Sequence, residues 1–86
     1  MRRRERWEIL GLILALLADN GSAHLPLSRI AQRANLPYDR FVDHLAELRS
    51  GGLVTADDMP GLTEKGRDLL KSWRQWEAVL ERFGLD

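Results

Sequence analysis

The sequence has no cysteine, two histidines and three prolines. Without cysteine there are no disulfides, thiolate metal ligands or thiol nucleophiles, and the chain suits a reducing compartment. His24 and His44 have no H-x-x-H or H-E-x-x-H spacing, so no metal site is expected. Ser22, Ser28, Ser50 and Ser72 sit in no nucleophile-elbow context, and no glycine-rich phosphate loop appears. The chain is therefore read as a non-enzyme without a cofactor. An excess of either charge is also lacking: 13 Lys+Arg against 13 Asp+Glu leave a formal net charge of +0, so any attraction to nucleic acid must come from a local patch. Long apolar runs are limited to residues 9–18, about half of the ~20 residues that a membrane span requires.

What is present is ordinary for one small globular domain: 86 residues, 44% hydrophobic and 30% charged. The opening "MRRRERWEILGLILALLADNGSA" has the layout of a secretory signal, with arginines, an apolar run and small residues in order. Trp7 and Glu8 at the edge of the run, and the Asn20-Gly21 stop, fit a folded helix over about 4–19 better. Its apolar positions go nearly all the way round, which predicts burial from more than one side.

Pro26 makes "AHLPLS" extended, and Ser28 is the expected cap of a short helix "SRIAQRA". Asn35 tolerates the left-handed conformation that ends it, and Pro37 is expected in the first turn of the next helix. That helix, "YDRFVDHLAELRS", carries Phe41, Leu45 and Leu48 on one face and stops at Gly51-Gly52. "LVTADDMPGL" predicts a short hairpin with a strand over 53–55, a turn through 57–61 and a return limited by Pro60. Thr63 caps a long final helix to about Phe83, roughly 30 Å in length. Within it Leu62, Gly66, Leu69, Trp73, Trp76, Leu80 and Phe83 recur at steps of four and three, an a/d seam or a short antiparallel helix pair. The seam outruns the small domain, and a second copy of the chain is the simplest cover. Glu64–Arg67, Asp68–Lys71 and Arg74–Glu77 are i, i+3 pairs of opposite sign on the outer face.

"LSRIAQRANLPYDRFVDHLAELRSGGLV" resembles a winged helix-turn-helix core, with Ile30-Ala31 on the first helix, Asn35 and Leu36 at the turn, and Phe41 and Leu45 buried on the recognition helix. "GLV" followed by "LTEKGRDLL" is similar to small archaeal-type winged-helix DNA-binding proteins that dimerise through a C-terminal antiparallel coiled coil. The resemblance implies a mainly α fold with a small β-hairpin wing. Its core covers 1–62 (helix one about 4–19, helix-turn-helix about 28–50, wing about 53–62), and 63–86 form a dimerisation helix of the same single domain.

It further implies a homodimeric transcription regulator or chromatin-associated protein, cytoplasmic and nucleoid-associated, that binds double-stranded DNA and no membrane. The recognition helix, about 37–50, would enter the major groove. Carried over residue by residue, the base-facing set is Tyr38, Asp39, Arg40, Val42 and Asp43, with His44 at the margin. Ser28, Arg29 and Arg33, with Arg2, Arg3, Arg4 and Arg6 near the start of helix one, would contact phosphates. Leu69, Trp73, Trp76, Leu80 and Phe83 would form the dimer interface.

The sequence also departs from that pattern. Asp39, Val42 and Asp43 occupy surface positions often held by basic or neutral polar residues, and the wing tip carries Asp57 and Asp58. Carboxylates near phosphates subtract from the electrostatic attraction that drives DNA affinity. A winged-helix protein-interaction module with weak or no DNA binding is the alternative reading. Trp73 and Trp76 either fill the seam or line a ligand pocket, so a small-molecule effector stays open.

Overall fold

The structure, a computed structural model, describes residues 6–21 and 23–85. Four helices follow in order: α1 (Arg6–Asp19), α2 (Leu27–Arg33), α3 (Tyr38–Ser50) and α4 (Glu64–Arg82). Arg2, Arg3 and Arg4, expected at phosphates, lie outside the described residues. So do the expected first turn of helix one at residues 4 and 5, and Ser22.

The first helix packs against all three others. This explains its all-round apolarity. Ile13, Leu14 and Leu17 are buried, while Ile9, Leu10, Ala15 and Leu16 complete the cluster from its other sides. Phe41, Leu45 and Leu48 enter the same core from α3, Ile30 and Ala31 from α2, and Leu70 from α4. The apolar run at the start of the chain is thus the centre of the fold.

Two helix ends differ from expectation. The second helix begins at Leu27 with Pro26 at its cap and no side-chain cap bond, so Ser28 is inside the first turn and not at the cap. Pro37 stands at the cap of α3 rather than in its first turn. In both places an extended proline (ψ 156° at Pro26, 146° at Pro37) aims the chain into the helix by itself, and a capping hydroxyl is dispensable. The stop after α1 also works differently. Asn20 and Gly21 do not take the left-handed conformation; His24 does, at φ 51°. The Asn20 side chain instead clasps the chain after it, accepting from Leu25 N–H at 2.9 Å and donating to the Leu25 carbonyl at 3.1 Å.

The helix-turn-helix closes on Asn35 (φ 57°). Asn35 N–H donates to the Gln32 carbonyl at 3.0 Å and Leu36 N–H to that of Ala31 at 3.1 Å, which satisfies the last carbonyls of α2. Gly52 (φ 73°) repeats this arrangement after α3, with Leu53 N–H reaching the Leu48 carbonyl at 2.9 Å.

The expected hairpin wing is reduced to one antiparallel bridge, Val54 to Leu62, with no strand among the described residues. The backbone groups that would extend a ladder are engaged otherwise. Arg49 takes the carbonyls of Thr55 and Asp57, the Thr55 hydroxyl oxygen takes the Gly61 N–H, and Pro60 has no N–H to give. Thr63 does cap α4 as expected, accepting from Gly66 N–H at 3.0 Å. At Gly66 a Cβ would lie 2.0 Å from the Leu53 carbonyl oxygen, so only glycine lets the wing rest on the first turn of α4.

Candidate nucleic-acid interface

The core face of α3 (Phe41, Leu45, Leu48) fixes which of its residues point outward. Asp39 and Asp43 are exposed at i, i+4, and Glu47 continues the same stripe four residues on. Arg40 flanks the stripe and is exposed, as are Tyr38 and Val42. The Tyr38 ring lies 6.5 Å from that of buried Phe41, which anchors the exposed aromatic at the start of the helix.

His44 is less accessible than its neighbours. Its side chain keeps 15% of its surface, and Nδ1 is buried without a hydrogen bond, 3.8 Å from a Glu47 carboxylate oxygen. It belongs to the flank of α3 and not to the outward face. Arg6, expected among the phosphate contacts with Arg3 and Arg4, is engaged with Glu47 through both Nε (3.0 Å) and a terminal guanidinium nitrogen. That pair ties the start of α1 to α3. On α2, Ser28, Arg29 and Arg33 are all exposed, and the two arginines border a shallow groove with Leu25, Pro26 and Gln32.

Four hydrogen bonds from three side chains, none announced by the sequence, hold this surface together. Arg49, in the last turn of α3, donates to the Thr55 carbonyl (Nε, 3.2 Å) and the Asp57 carbonyl (2.8 Å), pinning the wing to α3. Lys65 donates to the Gly51 carbonyl at 2.8 Å, and the Thr63 hydroxyl to that of Gly52 at 2.6 Å, so the end of α3 is held by the start of α4. For the two cations the only sequence signal is position, in the last turn of α3 and the first turn of α4. Glu47 is legible in principle, being one more i, i+4 step after Asp39 and Asp43.

The arrangement is two helices joined by a tight left-handed turn, the second presenting a solvent face, with a wing pinned beside it. A family model described as winged helix-turn-helix matches residues 3–81. The chain belongs to the winged helix-turn-helix family. A search of curated proteins finds no match. A winged helix-turn-helix domain suggests a DNA-binding regulator. Among the described residues, α2, α3 and the wing tip expose Arg29, Arg33 and Arg40 together with Asp39, Asp43, Asp57 and Asp58, a mixed rather than a basic set of charges. No described helix is long and apolar enough to cross a membrane.

Proposed function

We propose that the protein is a homodimeric, DNA-binding transcription regulator or chromatin-associated protein whose α3 docks in the major groove while Arg29 and Arg33 of α2 hold phosphates. The observation that carries this reading is the exposed pair Arg29 and Arg33 beside a solvent-facing recognition helix in a winged helix-turn-helix chain. Arg40 is the base-reading candidate, since an exposed arginine at the start of such a helix can hold guanine by two hydrogen bonds. The mixed charge keeps non-specific affinity low, because each carboxylate offsets part of what an arginine contributes at the phosphates.

Dimerisation rests on α4. Leu69, Trp76, Val79 and Phe83 are exposed along one flank, with Trp7 of α1 adjoining them. The expected interface changes in one respect. Trp73 lies over Gly11 of its own chain, so closely that a Cβ there would be 2.3 Å from the indole, and it serves the fold first. Leu80 is half-buried.

Titrating a labelled duplex at two salt concentrations tests the function. Binding should weaken with a slope of log K against log salt of about −0.9 per phosphate neutralised. Replacing Arg29 and Arg33 with Gln should lower that slope by about 1 for each phosphate no longer held. No binding at low salt, or binding indifferent to salt, would refute the proposal. The acidic stripe Asp39–Asp43–Glu47 and the acidic wing tip favour a second reading, a winged-helix interaction module whose partner presents basic groups. Failure to bind DNA would leave that reading standing.

A further inference from the structure

The side of α4 away from its exposed apolar flank borders an open groove of about 700 Å³, closed by the end of α1 and the return limb of the wing. Leu17, Leu62 and Leu70 line it, and Gly21, Gly61, Ala18 and Ala78 leave it flat-walled. Three cations, Arg67, Lys71 and Arg74, stand along its α4 edge at i, i+4, i+7. The sequence pairs them with Glu64, Asp68 and Glu77, yet none of those pairs forms. The ion pairs among the described residues are Arg6–Glu47 and His44–Glu47. An open groove within the 300–1,000 Å³ typical of small-molecule sites thus carries along one edge three exposed cations that make no ion pair with a described residue.

We infer that this groove is a binding site for a small amphipathic organic anion, a carboxylate on a flat apolar body. The ring system lies on half-buried Leu62 and exposed Ala18 and Ala78, with buried Leu17 and Leu70 beneath them, and its burial releases water from the apolar surface that these leave open. The carboxylate meets Arg67, Lys71 and Arg74, and an arginine fork can hold it by two hydrogen bonds. Charge favours an anion over a neutral apolar occupant, because the three exposed cations attract the carboxylate and add nothing for an uncharged ring. The groove on the other flank of α4, lined by Trp7, Leu10, Leu69, Trp73 and Trp76, has no cation and is not the site. Because the Gly61 carbonyl accepts from Thr55 N–H at 2.9 Å and Leu62 makes the wing bridge, an occupant also braces the return limb of the wing against α4.

The test uses the full chain, isotopically labelled, titrated with 2-naphthoate and separately with uncharged 2-naphthalenemethanol. Naphthoate should shift the amides of Gly61, Leu62 and Ala78 and leave the Trp76 indole unmoved, with the alcohol binding at least tenfold more weakly. Two exposed-site variants follow. Changing Arg67, Lys71 and Arg74 together to Gln should weaken naphthoate tenfold or more, and Ala78→Trp should abolish binding by filling the slot. Equal affinity for acid and alcohol, or shifts confined to Trp76 and its surroundings, would overturn the inference. So would shifts at these amides produced by duplex DNA and not by naphthoate, which would make the cations phosphate contacts. Each readout is independent of whether the protein regulates transcription.

Discussion

At the level of single residues, Gly66 has the narrowest tolerance among the described glycines. A methyl group there would meet the Leu53 carbonyl oxygen at 2.0 Å, and that oxygen is already fixed by Thr63 N–H at 3.1 Å. Gly66→Ala gains about 1 kcal/mol of helix propensity. Against this stands overpacking against backbone, which cannot swing aside and costs about 3 kcal/mol. A net loss of about 2 kcal/mol is expected, read as a lower urea midpoint at unchanged slope. Gly11 sits under the Trp73 indole for a similar reason, though there the neighbour is a side chain. Neither role is legible in the sequence, where one glycine interrupts helix one and the other occupies a seam position. Close approach joins residues remote along the chain, and periodicity within a helix says nothing about it. Asn35 is legible, because the left-handed turn it makes is a local preference of its own side chain.

Among the elements, α3 shows how far pattern reading extends. Phe41, Leu45 and Leu48 announce their face by spacing alone, and the opposite face follows from helix geometry. The charge on that face is legible for Asp39 and Asp43. Its partial cancellation at Glu47 by Arg6 is not, since that contact spans 41 residues. The wing marks the limit: an alternating segment with a turn predicts a ladder, but Arg49 captures two of the carbonyls concerned. The stripe on α3 makes a clear prediction. Asp39→Asn with Asp43→Asn should tighten duplex binding roughly fivefold at moderate salt, since each carboxylate removed relieves a repulsion of about 0.5 kcal/mol near the phosphates. Fluorescence anisotropy would measure it, and unchanged affinity would mean that this face does not approach DNA.

For the whole molecule, the two flanks of α4 differ in kind, one apolar and one cationic, and the helix outruns the core it covers. Beyond Trp73, only Leu80 among its remaining residues is shielded even in part. Trp76, half exposed, is the largest side chain on the apolar flank. Trp76→Glu should therefore give monomers by light scattering while leaving the helical circular dichroism intact, and a dimer that persists would place the interface elsewhere. The same substitution at Trp73 should instead unfold the chain, because that ring lies on Gly11 within one molecule.

The pairing of α1 with α4 has a further consequence. Of the four helices, the one at the centre of the core is the first to be synthesised, and a partner that covers it is the last. Until α4 has been made, Leu14 and Gly11 have no lid, and the helix-turn-helix has only part of its support. A ribosome carrying this domain must therefore release α4 before the core can close, and closure across so many residues is slower than the local helical content alone would give.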